Sequence, residues 1–149
     1  MQDIKISKVT DKRLFDAIAY DTDLHSQLVA DWWRLIDARY MDVLVAMADS
    51  DYTVSAMGRL AIIKDARVNP TGLHVLSLYV AYSQRRKGVA SRLLESVDVL
   101  SVEQGVGVVS LDVARSNEGA IKLYEKHGYS ITDDSSEDDV ISMQKCVTG

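Results

Sequence analysis

The chain has 149 residues, of which 47% are hydrophobic and 26% are charged, a composition typical of one globular domain with a buried core. Its net charge of −5 argues against general nucleic-acid binding, which draws most of its affinity from a basic surface. The single cysteine excludes an internal disulfide, and the sequence shows neither a signal-peptide pattern nor an apolar run of membrane-spanning length. We therefore expect one cytoplasmic domain over residues 1–149, with no membrane association.

Two hydrophobic periods divide the chain into strands and helices. Alternating or β-branched apolar residues predict strands, and apolar residues at three- and four-residue steps predict helices. The predicted elements in chain order are a strand over 3–9, helices over 11–20 and 25–40, strands over 41–48, 52–63 and 73–81, a helix over 89–104, a strand over 106–113, a helix over 117–127, and strands over 129–132 and 140–147. This order predicts an α/β layer sandwich with a mixed sheet.

The strand over 73–81 is the predicted centre of the sheet. It is long and mostly apolar, which indicates a strand covered on both faces. A helix connects it to the strand over 106–113, and strands joined in this way pair in parallel. The strands over 41–48 and 52–63 form a predicted hairpin, and the last two strands form another.

A short basic loop joins the central strand to the helix that follows. Its sequence is Gln84-Arg85-Arg86-Lys87-Gly88-Val89-Ala90, and it stands out against the acidic composition of the chain. The unpaired N–H groups of a helix N-terminus and the helix dipole attract anions, and the arginine and lysine side chains add whole charges. Gly88 allows a close approach of the backbone to a ligand. The loop therefore predicts a phosphate site, with a solvated basic turn as the alternative.

A second block of sequence strengthens the first. The loop fits the pattern (Arg/Gln)-x-x-Gly-x-(Gly/Ala), and residues 117–129 fit the pattern Asn-x-x-Ala-x-x-Leu-Tyr-x-x-x-Gly-(Phe/Tyr). In this order, with a strand between them, the two blocks resemble the GCN5-related N-acetyltransferases. The order of elements also fits that family, although residues 1–70 contribute no motif. The resemblance implies an αβα layer sandwich whose mixed, mostly antiparallel sheet has central strands splayed to admit a cofactor.

The resemblance also implies a cofactor, acetyl-CoA, as the acetyl donor. Its pantetheine arm would pair with main-chain groups near Leu78 and Val80, where the two central strands splay apart. The loop positions implied to hold the pyrophosphate are Arg85, Arg86, Lys87, Gly88, Val89 and Ala90. Asn117 would contact the cofactor from the start of the next helix, or it simply caps that helix.

Catalytic roles follow from the chemistry of amide formation. The amine must lose a proton, the thioester oxygen needs a hydrogen-bond donor, and the departing thiolate is helped by an acid. Tyr124 matches the tyrosine acid of the family, with a half-buried packing residue as the alternative, and the main-chain N–H near Leu78 is the implied oxyanion donor. His74 lies eleven residues before Arg85, where some family members have a glutamate base. Histidine can serve as that base, or His74 is a strand residue bonded to a neighbouring backbone group. Asp112, which could instead anchor the loop before the next helix, and a chain of water molecules remain alternative bases.

Other candidate residues have simpler interpretations. We expect Cys146 to be a small buried apolar residue and Trp32 to belong to the core rather than to an acceptor site. His25 and His127 are expected to be structural or exposed, and the acidic stretch 133–139 is expected to be a solvated hairpin tip. No spacing of cysteine, histidine and carboxylate residues suggests a metal.

The resemblance therefore predicts an N-acetyltransferase. The acceptor would be a primary amine, on a small molecule or a protein, that attacks acetyl-CoA directly in a ternary complex. A homodimer is possible, and nucleic acid and membrane are not expected as partners. The alternative is a catalytically weak module that senses coenzyme A or binds a partner on the same fold. The absence of a clear glutamate base keeps this alternative open.

Overall fold

The computed structural model of the protein describes residues 4–22, 24–48, 56–65, 72–86, 88–133 and 139–147. Within these residues the elements are β1 (Ile4–Lys8), α1 (Lys12–Asp21), α2 (Ser26–Asp37), β2 (Met41–Ala48), β3 (Ala56–Asp65), β4 (Gly72–Val80), α3 (Val89–Glu103), β5 (Val108–Ala114), α4 (Glu118–Lys126), β6 (Ser130–Asp133) and β7 (Val140–Cys146). The order of elements is the predicted one. None of the helices in this part of the chain is long and apolar enough to span a bilayer.

The predicted second helix is three residues shorter than expected at its C-terminus. It ends at Asp37 rather than at residue 40, because Arg39 adopts a left-handed conformation with a φ of 66°. Tyr40 lies beyond that break and is 64% exposed, so the apolar residue that extended the sequence pattern does not belong to the helix.

The sheet is mixed and mostly antiparallel, as predicted. The order of its seven described strands is β1-β2-β3-β4-β5-β7-β6, and the only parallel pair among them is β4 with β5. That pair is short, because residues 73–75 of β4 pair with residues 109–111 of β5 and the pairing then stops. The two central strands therefore separate towards the C-terminal end of β4.

Two hydrophobic clusters cover opposite faces of the sheet. Alternate residues of β2 belong to different clusters, since Leu44 lies in one and Val43 and Val45 lie in the other. Helix α3 packs on the first cluster, which also contains Tyr124 of α4. Helices α1 and α2 cover the second cluster, which contains Trp32, so the prediction that Trp32 is a core residue is confirmed.

A β-bulge interrupts β4 at the point where it leaves β5. The register with β3 shifts between Ala61, which pairs with Ser77, and Ile62, which pairs with Val75, so that Leu76 is an extra residue. Residues 72–75 are buried, but Leu76 is 45% exposed. The prediction that this strand is covered on both faces is therefore wrong beyond the bulge, because the strand there borders an open cleft.

The prediction that Cys146 is a buried apolar residue is also wrong. It is a free, exposed thiol at the end of β7. The buried residues of β7 are Ile141 and Met143, and the strand alternation places Cys146 with the exposed Gln144 on the opposite face. A short run of mixed residues does not reveal which face of the last strand is covered.

Candidate active site

A cleft of about 710 Å³ lies between the end of β4, the start of α3 and helix α4. The predicted cofactor residues that line it are Leu78, Val80, Arg85, Arg86, Gly88, Val89, Ala90 and Asn117. Lys87 lies outside the described residues. The two sequence blocks, which are separated by β5 in the chain, therefore meet across one cavity.

The basic loop has an unusual backbone where it enters α3. Gly88 is the N-terminal capping residue of the helix and has a φ of 80°, and Arg86 has a φ of 65°. No atom of the described residues lies within 4 Å of a Cβ built on Gly88, so the need for glycine comes from the backbone conformation and not from a close neighbour. Arg85 turns back on the strand, because its Nε donates to the Val80 carbonyl at 3.2 Å and its guanidinium lies 5.3 Å from the centre of the Tyr82 ring.

A smaller cavity of about 260 Å³ continues the cleft between the separated ends of β4 and β5. The residues that line both cavities are Leu78, Asn117, Ala120 and Tyr124. The larger cavity has the arginines of the loop among its lining residues, and the smaller one has Asp112. The two cavities thus differ in charge and meet beside Tyr124.

Tyr124 is 8% exposed and lies at the junction of the cavities. Its ring packs edge-on against the ring of Tyr129, with 6.0 Å between centres. Burial raises the pKa of the Tyr124 phenol, because the charged phenolate is poorly solvated there. The hydroxyl therefore keeps its proton at neutral pH, which is the state that an acid requires.

His74 and Asp112, the two candidate bases, are neighbours. The His74 Nε2 lies 3.6 Å from an Asp112 carboxylate oxygen, and its Nδ1 lies 2.8 Å from the Ser110 hydroxyl. The other Asp112 oxygen accepts a hydrogen bond from the Ser142 hydroxyl at 2.8 Å. His74 is 8% exposed, whereas Asp112 is half-exposed and lines the smaller cavity. Asp112 therefore lines the same cavity as Tyr124, and His74 contacts its carboxylate from the adjacent strand.

Asn117 caps α4 and also lies on the walls of both cavities. Its side-chain oxygen accepts from the Ala120 N–H at 3.2 Å and so caps α4. The same residue lines both cavities. Capping fixes its side chain at the point where the two cavities join.

The remaining histidines have structural contacts, as predicted. The His25 Nδ1 accepts from the Gln27 N–H at 3.3 Å at the start of α2, and the His127 Nε2 lies 3.0 Å from the Ser91 hydroxyl. Among the described residues, no group of three or more histidine, cysteine or acidic side chains could hold a metal ion. Most of the acidic stretch 133–139 lies outside the described residues.

Sequence patterns missed the hydroxyl groups around the site. Ser77 lines the smaller cavity, and Ser110 and Ser142 contact His74 and Asp112. A serine within a strand matches no motif, and these contacts depend on the register between β4, β5 and β7. That register can be read from the structure but not from local sequence.

Comparison with known proteins assigns the family. The family model described as acetyltransferase (GNAT) family matches residues 8–129 of the chain. The chain belongs to this family. The predicted resemblance and the predicted fold class are confirmed, and the GNAT match extends into the N-terminal part of the chain where no motif was found.

Relatives of this GNAT chain include a plant protein and two solved structures. GCN5-related N-acetyltransferase 10, chloroplastic, from Arabidopsis thaliana is 39% identical over 61 residues, which span 41% of this chain and 24% of that protein. The structure of the NatC complex bound to Gag peptide and CoA is 17% identical, with a TM-score of 0.80 and coverage of 98% of this chain and 99% of that chain. The PaiA N-acetyltransferase of Thermoplasma acidophilum in complex with coenzyme A is 18% identical, with a TM-score of 0.69 and coverage of 97% and 99%. At these identities the structural likeness establishes the GNAT fold.

Proposed function

We propose that this GNAT protein transfers an acetyl group from acetyl-CoA to a primary amine, by direct attack of the amine in a ternary complex. The observation that carries the proposal is the junction beside Tyr124, where an arginine-lined cavity meets a carboxylate-lined cavity. When bound, acetyl-CoA supplies a thioester. The residues of the chain bind it, take a proton from the amine and return a proton to the thiolate.

The larger cavity suits an anionic cofactor with a long polar arm. The N–H groups at the start of α3, together with Arg86 and Lys87, would hold the pyrophosphate. The arm would pair with main-chain groups of residues 78–80, where β4 has no partner in β5. Two solved GNAT structures of similar fold hold coenzyme A, which supports this assignment.

The smaller cavity suits the amine. An alkylammonium has a pKa of about 10.4, so it must lose a proton before its nitrogen can attack. We assign this step to His74 acting with Asp112, since Asp112 lines the cavity and its carboxylate lies 3.6 Å from the imidazole. The hydrogen bonds from Ser142 to Asp112 and between Ser110 and His74 fix the orientation of both groups.

The thioester would react between the two cavities. The Leu78 N–H would donate to the thioester oxygen as negative charge grows on it. Tyr124 would give its proton to the departing thiolate, since its phenol, whose pKa is raised by burial, is protonated at neutral pH. Asn117 would position the cofactor from the cap of α4.

Two measurements on the purified protein test the proposal. Acetyl-CoA at about 100 times its Kd should add about 2.7 kcal/mol to the free energy of unfolding, which is observed as a higher Tm. A panel of amines and peptides should then reveal at least one acceptor that releases free coenzyme A.

The possible outcomes separate the two candidate functions. Binding without turnover across the panel would contradict the transferase and favour a sensor of coenzyme A. The observation behind this alternative is that His74 is buried and already bonded to Ser110. Absence of any binding would contradict both functions.

A further inference from the structure

The cofactor-binding segment of β4 is supported along one edge only. Residues 77–80 pair with β3, where Leu60 lies opposite Leu78 and Gly58 lies opposite Val80. Their other edge faces away from β5, which pairs with β4 only as far as Val75. The segment therefore lacks one of the two ladders that fix a central strand. Another contact must hold its peptide groups in place for a cofactor.

Arg59 supplies that contact from the neighbouring strand. It lies opposite Tyr79 in the β3–β4 ladder and is only 5% exposed. Its Nη1 donates to the Ser77 hydroxyl at 2.9 Å, and its guanidinium carbon lies 5.4 Å from the centre of the Tyr79 ring. Ser77 and Tyr79 alternate with Leu78 and Val80 along the strand, so the side chains that Arg59 contacts leave β4 on the other face from those of Leu78 and Val80.

The same guanidinium contacts the layer formed by α1 and α2. Its Nε donates to the Thr22 hydroxyl at 2.9 Å, and its carbon lies 5.2 Å from the centre of the Trp32 ring. Thr22 is fully buried at the C-terminus of α1, where its hydroxyl donates to the Ile18 carbonyl. One rigid side chain thus connects both N-terminal helices to the unsupported part of β4.

We propose that Arg59 is a positioning residue for the reaction. Through Ser77 and Tyr79 it fixes the main chain around Leu78, where the thioester oxygen and the cofactor arm would bind. The inference rests on the proposed function, because it assigns a purpose to that main chain. A planar guanidinium is needed, since its fork can bond two hydroxyls while its faces pack on two aromatic rings, and a lysine ammonium cannot do both.

Amide hydrogen exchange with and without CoA tests the role of Arg59 separately from activity. In the wild type, CoA should protect the amides of residues 77–80 and of residues 88–90. In Arg59→Met the protection at 77–80 should be lost while that at 88–90 remains, because the contacts of Arg59 described above reach β4, α1 and α2. The kcat should fall about 10- to 100-fold, as expected when reacting groups are misplaced, with a much smaller change in CoA affinity. Arg59→Lys should resemble Arg59→Met more than the wild type.

A matched control and a second variant complete the test. Arg92→Met removes an exposed arginine that donates to the Ile4 carbonyl at 3.0 Å, and it should behave like the wild type. If Arg59→Met does not fold, Ser77→Ala tests the inference in its place. It removes the hydroxyl that accepts from Arg59 but leaves the contact of the buried guanidinium with Thr22. It should weaken the protection at 77–80 in the same way.

The results distinguish two kinds of failure. Wild-type protection and kcat in both Arg59→Lys and Ser77→Ala would contradict the role of Arg59 alone. Equal loss of protection at both segments in Arg59→Met and Arg59→Lys would indicate general destabilisation and would also contradict it. No protection by CoA at either segment of the wild type would contradict the proposed function, and with it the inference.

Discussion

At the scale of single residues, the proposed acid gives the most direct test of the chemistry. Tyr124→Phe removes the proton that would go to the thiolate but keeps the ring that packs on Tyr129. We expect kcat to fall about 100-fold or more, the size of effect usual for a general acid, with acetyl-CoA affinity nearly unchanged. Thiol release gives kcat, and calorimetry gives the affinity. Unchanged turnover in this variant would remove Tyr124 from the mechanism.

His74 and Asp112 are expected to act as one unit. They are 3.6 Å apart, and each has its own serine contact. His74→Asn and Asp112→Asn should each lower kcat/KM about 10- to 1000-fold, and the double variant should lose much less than the product of the two. Losses that multiply independently would show that the two residues do not share the proton-transfer step.

Tyr129 is expected to limit stability rather than activity. It is 3% exposed, and among the described residues its hydroxyl has no hydrogen-bond partner. A buried unsatisfied hydroxyl costs about 1–3 kcal/mol, so Tyr129→Phe should raise the free energy of unfolding by about 1 kcal/mol in urea titrations. Tyr82→Phe, at a site that is 83% exposed, is the matched control and should have no effect.

The same residue predicts a loss of stability at alkaline pH. Burial, and to a smaller extent the charges of Asp98 and Tyr124, raise the pKa of Tyr129 above its ordinary value of 10.0. The folded state then holds this proton more tightly than the unfolded state, so stability falls as the pH rises above 10.0. The free energy of unfolding of Tyr129→Phe should fall less steeply than that of the wild type over that pH range. If the free energy of unfolding depends on pH in the same way in both proteins, the loss of stability does not come from Tyr129.

At the scale of elements, the close approach of β3 and β4 can be tested at a glycine. A Cβ on Gly58 would lie 2.7 Å from the Tyr79 carbonyl oxygen and 3.1 Å from a Val89 methyl carbon. Gly58→Ala must therefore push the strands apart, and we expect a cost of about 1–3 kcal/mol with weaker acetyl-CoA binding. Gly107→Ala, where no described atom lies within 4 Å of the added carbon, should be close to neutral. Equal effects of the two substitutions in thermal unfolding would contradict the packing argument.

The elements also show how far local sequence determines this fold. Strand and helix order follows from hydrophobic periods, which each segment carries in itself, and the two motifs identify the loop before α3 and the start of α4. The bulge at Leu76 is different, because a shift between Ala61 and Ile62 involves two strands. The exposure of Cys146 likewise depends on which face of β7 the helices cover.

The chemistry of the site follows the same division. The position of Tyr124 and the loop residues at the cleft could be predicted because they belong to motifs, and their roles in catalysis and binding stay predictions. The contact between His74 and Asp112 could not, because it joins residues on adjacent strands that are far apart in sequence. The role inferred for Arg59 has the same origin, since its contacts come from α1, α2 and β4.

At the scale of the whole molecule, the short parallel pairing of β4 with β5 connects two antiparallel halves of the sheet. The strands β1 to β4 form one half and β5 to β7 form the other, and among the described residues only 73–75 and 109–111 pair between the two halves. The proposed cofactor would lie in the gap beyond these paired residues. Binding would therefore join the halves and stabilise the molecule as a whole.

The open edge of β4 has a consequence for solubility. A strand whose N–H and C=O groups lack a ladder partner is a template for pairing with another chain. Residues 77–80 present such an edge inside the sheet, and a bound cofactor would cover it. Removing acetyl-CoA should lower both the Tm, measured by calorimetry, and the temperature at which the protein aggregates on heating, measured by light scattering. We expect the aggregation temperature to fall by more than the Tm. Bound acetyl-CoA would then also protect the protein from self-association.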